Sequence, residues 1–368
     1  MSDIVVVFGA SGTVGVACVE ALLRQGERVL ATGRNFALLR ARLAHVNSQR
    51  LSLAELDVQA AVPWPEAVCG CRRFIQCAGP SFILTERVIE QLLTQCVGPG
   101  VFIDVGGDAT AIGRWHTPLA AAGWLGILGA GVQPGLVGIA IRALSARFSR
   151  TDVLRVITFT GGLQPLTPAG LAEYLQAVND RTGYPGRYWL QGEWRKVVDT
   201  PPLPACFPPS ADIHPYVDEE AADAARELSL LSLKSFNVTD SVEIAGLLCE
   251  IMVLGEVPEV ASQRVANAMT GKVPYFCLSV EGIGDRPLEH GRHTVLTCTD
   301  SYQVTGAVAA WAMGNILTQP PLSSGVTWFS QRQESLAIWQ QWQTQPPAGV
   351  RIVWQNPCNP TGCEEGEL

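Results

Sequence analysis

A glycine turn close to the N-terminus constrains this chain more than any other feature. The apolar run Ile4–Phe8 leads directly into Gly9-Ala10-Ser11-Gly12-Thr13-Val14-Gly15. Beyond it, Val14, Cys18, Ala21 and Leu22 recur at helical spacing up to Gln25, and Gly26 stands where a helix stop belongs. A strand, a glycine turn and a helix in that order open a βαβ unit, and the turn with its helix N-terminus makes an anion cradle. Gly9 permits the tight turn, Gly12 lets a pyrophosphate reach backbone N–H groups, and Gly15 lets helix and strand pack closely. Ser11, Thr13 and Val14 belong to the same set of expected dinucleotide contacts. The spacing is G-x-x-G-x-x-G rather than G-x-G-x-x-G, so the fingerprint is met in context but not residue for residue. A glycine-rich turn without a ligand is the plain alternative.

Short apolar runs alternate with helical stretches through the first part of the chain, as when parallel strands are joined by crossover helices. The expected strands are Ile4–Phe8, Arg28–Thr32, Leu51–Leu56, Arg73–Cys77, Val101–Val105 and Leu125–Leu128. Where NAD-specific sites place an acid for the ribose hydroxyls, the second strand ends in Gly33-Arg34-Asn35. A guanidinium there pairs with a 2′-phosphate, so the expected cofactor is NADP(H), with Arg34 as its selector. Arg40 and Arg42 read equally as phosphate contacts or as the solvated face of the next helix. Three further strand ends carry Cys77-Ala78-Gly79-Pro80-Ser81-Phe82, Asp104-Val105-Gly106-Gly107-Asp108 and Gly129-Ala130-Gly131-Val132-Gln133-Pro134-Gly135. Small residues at such ends suit a flat cofactor close to the backbone, which adds Cys77, Ala78, Gly79, Pro80, Gly106 and Gly131 as expected contacts. Ordinary turn chemistry explains any one of these segments alone.

A chain of 368 residues is long for one core. The expected architecture is α/β: a Rossmann-type parallel-sheet domain over 1–135, then an α+β substrate and oligomerisation domain over 136–300 with a mainly antiparallel sheet. Residues 301–345 return to the first domain, and 346–368 form a Pro-rich acidic tail expected to carry little order. Val153–Thr160, Tyr275–Glu281 and His293–Thr299 read as strands of the second sheet, and Tyr302–Leu317 as an apolar helix. The excess of 34 acidic over 26 basic residues, net charge −8, is the wrong sign for gripping nucleic acid. No apolar run approaches membrane-spanning length and no basic leader precedes the first strand, so the expected location is cytoplasmic. An odd number of cysteines, 11, without a disulfide framework fits reduced thiols. Neither Cys69/Cys71 nor Cys358/Cys363 has a second pair at zinc spacing, so no metal is expected.

Taken together, the three strand-end segments resemble the saccharopine dehydrogenase-like reductases. These carry a glycine turn, an A-G-P-[FY]-like turn, a D-x-x-G-[DE]-like turn and a G-[AG]-G-[FV]-x-P-G turn in that order. The resemblance spans residues 1–140 and continues weakly at Asp300-Ser301-Tyr302-Gln303-Val304-Thr305 and Gly325-Val326. It implies NAD(P)-dependent chemistry at a C–N centre. Gln133 stands where the family is often acidic, which departs from any charge-based contact at that point. In size and texture the chain looks most like the thiazolinyl imine reductases of enantio-pyochelin-type siderophore biosynthesis. Their implied partner is a carrier domain of a nonribosomal peptide synthetase holding a small imine, and a homodimer is the assembly considered.

Ten Trp against three Lys, at 196, 234 and 272, fit an aromatic tethered substrate better than one with several carboxylates. Tyr184, Tyr188, Trp189, Trp194 and Phe207 fall in the Pro- and Gly-rich stretch 180–215, which reads as a cover or docking segment, or else as ordinary core. Reducing C=N needs a proton at nitrogen. The candidate acids are His116 and Asp108, with Tyr184, Tyr188 and Tyr216 in the stretch that could cover the site. Each has a bland counterpart: Asp108 as a helix cap, His116 facing solvent, the tyrosines packing. Two other functions are consistent with the sequence. An opine-type amine dehydrogenase requires Arg142, Arg147, Arg181 or Arg187 to converge on carboxylates, and a dinucleotide sensor binds NADPH without turnover.

Overall fold

The computed structural model describes residues 4–148, 154–179, 183–284, 292–316 and 324–355. The first body runs β1 (Ile4–Phe8), α1 (Thr13–Arg24), β2 (Arg28–Gly33), α2 (Phe36–Arg42), β3 (Leu51–Glu55), α3 (Glu66–Cys69), β4 (Arg73–Gln76), α4 (Ser81–Gln95), β5 (Gly100–Asp104), α5 (Ala109–Ala121), β6 (Trp124–Leu128) and α6 (Leu136–Ser145). The second contains β7 (Arg155–Leu163), α7 (Pro168–Asn179), β8 (Tyr184–Pro185), β9 (Arg187–Leu190), β10 (Glu193–Lys196), β11 (Asp212–Val217), α8 (Glu219–Glu227), β12 (Ser232–Thr239), α9 (Val242–Leu254), α10 (Ala261–Met269), β13 (Tyr275–Ile283) and β14 (Arg292–Cys298). The chain closes with α11 (Ser301–Ile316), β15 (Gly325–Trp328), α12 (Leu336–Thr344) and β16 (Arg351–Gln355).

The first sheet is wholly parallel in the order β15-β6-β5-β4-β1-β2-β3. Its strands read as continuous apolar runs because helices cover both faces. The order reverses between β1 and β4, and a crevice for a ligand opens beyond their C-terminal ends. The second sheet runs β10-β9-β12-β7-β13-β14-β16, with β11 also on the free edge of β12. All its pairings are antiparallel except β12 with β7. The fold is the expected α/β arrangement of a Rossmann-type sheet and a mainly antiparallel second sheet.

The two bodies share a core. One buried cluster runs from Val5, Val7 and Ile75 through α1, α6, α8 and α11 to Leu278, Val280 and Leu296 of the second sheet. α6 is apolar on nearly every side, and the two bodies are packed about it. α11 returns to the first body and packs on α1, with Gly306 at the crossing. α12 and β16, by contrast, belong with α6 and the second sheet.

That placement corrects the reading of the C-terminal stretch. Residues 351–355 form a paired edge strand with Val350 and Ile352 buried, so sheet pairing orders a segment whose prolines and charges looked unstructured. Residues 356–368, with Cys358 and Cys363, lie outside the described residues, as do Leu317 and Val153. The stretch 184–217 is also built in. β9 and β10 form a hairpin on the sheet edge, and Phe207 is buried with Phe159 and Phe236 against the opposite face.

A Cβ at Gly306 would lie 2.5 Å from Val14 O and 2.6 Å from Cys18 N, backbone atoms that cannot swing aside. Gly306→Val should therefore lower stability by about 1–3 kcal/mol or more through overpacking, read as an earlier midpoint in urea unfolding. A midpoint equal to wild type would show that the helix crossing is loose.

Candidate functional site

The Gly9 turn follows β1 at the point where the strand order reverses. Gly9 has φ +68°, and a Cβ there would sit 2.5 Å from Ala78 Cα and N, so the turns after β1 and β4 touch. Gly15 is as constrained, since its Cβ would fall 2.2 Å from Gly9 O. Gly12 differs: its backbone is extended at φ −78° and ψ 166°, and a Cβ would meet only Gly9 O, at 3.4 Å. As N-cap of α1 it offers no side chain, and the first turn holds no acid. Thr13 and Val14 stand in that first turn, so the α1 N-terminus presents backbone N–H groups, with the positive end of the helix dipole, to open space.

The other expected cofactor residues gather round this point. Ser11 lies against the end of β2, where a Cβ on Gly33 would come 3.3 Å from its hydroxyl. Arg34 follows, exposed and without an ion-pair partner among the described residues, while Asn35 caps α2 by accepting from Leu38 N at 2.9 Å. Cys77, Ala78, Gly79 and Pro80 form the turn between β4 and α4. The Cys18 thiol and burial hold the Cys77 thiol well above its ordinary range, which makes it an inert packing group. Gly106 follows β5, and Gly131 follows β6, 2.9 Å from Val105 O by its would-be Cβ.

The remaining helices at this edge are capped across the cleft by acids of the second body. Glu173 on α7 accepts from Ser81 N at the start of α4. Glu219 accepts from Ala109 N at 2.9 Å at the start of α5, where Asp108 also accepts from Ala111 N at 2.7 Å. Glu220 accepts from Gly135 N at 2.6 Å at the start of α6. Asp218 caps α8 and takes Gln133 Nε2 at 3.2 Å, and the same amide lies 3.3 Å from Asn237 Oδ1. Burial raises the carboxyls of Glu173, Asp218 and Glu219, and pushes Glu220 up to about 8. Asp104, 1% exposed at the end of β5, is pushed up to about 7 by burial despite bonds from Thr85 Oγ1 and Gly106 N.

Of the expected acids Asp108 stands at this edge, and Tyr216 lies in β11, two residues before Asp218 and opposite Pro185 of β8. His116 lies along α5, its Nδ1 2.8 Å from Val326 O and its ring packed against Gly325. The helix has carried it away from the strand ends, so its place is structural. Tyr184 stacks on Trp194 at 3.5 Å and accepts from Arg226 Nη2 at 2.7 Å. Tyr188 sits on the edge hairpin, 5.3 Å from Lys234 Nζ. Trp189 packs edge-on to Trp194 and donates to Leu230 O. These aromatics fasten the hairpin to α8 and the sheet edge, so the described part of the expected cover is a packed arm. The caps Glu173, Glu219 and Glu220 escaped sequence reasoning. Only the run Asp218-Glu219-Glu220 marks a helix start, and no local signal names its partners across the cleft.

No protein-family model matches the chain, and no curated protein matches it in sequence. Among solved structures, apo saccharopine dehydrogenase (L-Glu forming) from Saccharomyces cerevisiae is similar over 97% of this chain and 100% of that one, at 12% identity and a TM-score of 0.66. Gre2 from Candida albicans in complex with NADPH is similar over 30% of this chain and 38% of that one, at 19% identity and a TM-score of 0.25. A putative epimerase from Bacteroides thetaiotaomicron is similar over 29% and 48%, at 24% identity and a TM-score of 0.24. The whole chain thus has the fold of saccharopine dehydrogenase.

Two outcomes are expected. Gly12→Val should keep its unfolding midpoint near wild type yet lose dinucleotide binding, because the space it fills is open and lies over the helix end. Unchanged binding by a folded variant would place the ligand elsewhere. The folded Asp104 carboxyl holds its proton up to about 7 while the unfolded one releases it near 3.8. Stability therefore falls as pH rises through that interval and levels off above it. Asp104→Asn should shrink the loss in unfolding free energy, read from urea titrations, between about pH 5 and about pH 8 by on the order of a few kcal/mol, leaving the slope that Glu220 contributes. An unchanged loss would refute this.

Proposed function

We propose that the chain is an NADPH-dependent oxidoreductase that reduces a C=N bond. The observation that carries this reading is the open N-terminus of α1, flanked by helix starts that are already capped, with Arg34 unpaired beyond it. The backbone from Gly9 to Gly15 would hold the pyrophosphate, Arg34 the 2′-phosphate, and the turns at Ala78–Pro80, Gly106 and Gly131 the nicotinamide half. The bound cofactor supplies hydride to the imine carbon. Asp108, a candidate acid at the strand ends, delivers the proton to nitrogen directly or through water. A carrier-tethered thiazoline of a pyochelin-type siderophore, reduced to the thiazolidine, is the substrate the sequence resemblance favours. A synthetase carrier domain is then the partner.

Two of the cations that the opine-type alternative requires, Arg142 and Arg147, are engaged elsewhere. Arg142 is 8% exposed and bound to Glu227, Arg147 lies 4.0 Å over the Trp354 ring, and Arg187 is paired opposite Lys196 in the edge hairpin. Arg181 lies outside the described residues. A cytoplasmic location accords with the described cysteines being free thiols, and no helix among the described residues is long and apolar enough to cross a membrane.

The test is NADPH oxidation against a thiazolinyl thioester, a cyclic imine, and a keto acid with an amine. Oxidation with the first two supports the proposal, with the third alone supports an amine dehydrogenase, and with none supports a sensor. NADPH should bind more tightly than NADH, and Arg34→Ala should weaken NADPH binding by about 1–3 kcal/mol while sparing NADH. Equal affinities in the unchanged protein would remove Arg34 from that role.

A further inference from the structure

Helix N-termini at the C-terminal edge of a parallel sheet are the natural seats for the carboxylates of an amino-acid or keto-acid substrate. Here the seats on α4, α5 and α6 are filled by the protein's own acids, Glu173, Glu219 and Glu220. Asp108 and Asp218 stand beside them, each already accepting a helix N–H. The leading neighbours of Glu173, Asp218 and Glu219 are backbone N–H groups, a hydroxyl, an amide and one another, with no Arg or Lys among them. Among these described neighbours an incoming carboxylate would meet charge of its own sign and no Arg or Lys to offset it.

A second, independent feature is neutral. Gln76, fully buried at the end of β4, takes Ala78 N on Oε1 at 3.4 Å and leaves Nε2 without a partner among the described residues. Thr160, 2% exposed and in register with Asn237, leaves Oγ1 unpartnered as well. Unused buried amide and hydroxyl groups at these positions call for a polar ligand group, and they bring no positive charge that would single out a carboxylate.

We propose that Glu173, Asp218 and Glu219 form a charge filter that admits an imine only when its carboxyl is masked as a thioester, ester or amide. The inference rests on the imine-reductase reading and adds which residues set the substrate class. It explains why the substrate would arrive tethered: the bond to the carrier removes the charge that the cleft rejects.

The probes are an aryl-thiazoline carboxylic acid and its methyl ester, with the matching thiazolidine acid and ester as binding ligands for the NADP-saturated protein. The thiazolidine ester should bind, and the thiazoline ester turn over, at least about tenfold better than the free acid, since like charges facing each other are strongly disfavoured. Glu173→Gln combined with Glu219→Gln keeps an acceptor at each cap but removes both charges. It should narrow the ester-to-acid ratio mainly by improving the acid. Equal binding of acid and ester in the unchanged protein overturns the filter, as does an unchanged ratio in the folded double variant. Ester binding without NADPH oxidation overturns the imine reading while leaving the filter supported, and binding of neither ligand overturns both.

Discussion

Carboxylates that reach from the second body to helix starts of the first are the interaction on which this structure turns. A helix start leaves several N–H groups without partners, and a buried start must find acceptors for them. For α4, α5 and α6 the acceptors are Glu173, Glu219 and Glu220, so local hydrogen bonding ties α7 and α8 to the Rossmann edge. The shared core around α6 holds the same geometry from beneath. The raised carboxyls are the reciprocal cost, because each acid leaves water for one or two N–H groups. The start of α1 is the exception to this pattern, and its openness has no structural benefit of its own.

Function follows from where charge is left over. On the phosphate side, an open helix end and the unpaired Arg34 offer positive potential to a dinucleotide. On the side proposed for the reaction, the described surroundings are acids and neutral groups, and Arg142 and Arg147, which could have greeted a second carboxylate, are engaged elsewhere. On the proposed reading, that polarity suits a neutral or protonated C=N group better than a keto acid. Arg142 is the clearest case, buried in a bond with Glu227 at the base of the second body.

What the sequence revealed was what neighbours in sequence decide. The six strands of the first body, the α1 helix and the small residues at the strand ends come from short-range pattern, and they stand within a residue or so of where periodicity put them. The second body was less legible. β12 lies between β7, its one parallel partner, and two separate edge segments, a register fixed by distant contacts rather than by its own alternation. His116 shows the same limit at the site. It follows a strand end by few residues, but eight residues of helix carry a side chain about 12 Å along the axis. The aromatics of 184–194 were legible as a cluster, though not as an arm: composition is the same whether rings cover a substrate or one another, as Tyr184 and Trp194 do.

The glycine turn itself separates packing from ligand. Gly9 would be glycine in this packing whatever the turn binds, since its positive φ and the touching Ala78 allow nothing larger. Gly15 would be too, because Gly9 O occupies the position of its Cβ. A glycine-rich turn without a ligand accounts fully for both. It does not account for Gly12, whose extended backbone suits any residue and whose side-chain space is empty apart from one oxygen at contact distance. At an N-cap, Ser, Thr, Asp or Asn would add a hydrogen bond that glycine lacks, a difference of a few tenths of a kcal/mol in favour of a capping side chain. A residue that forgoes this gain without being forced to by packing is accounted for by what must approach it, and at the positive end of a helix that is an anion.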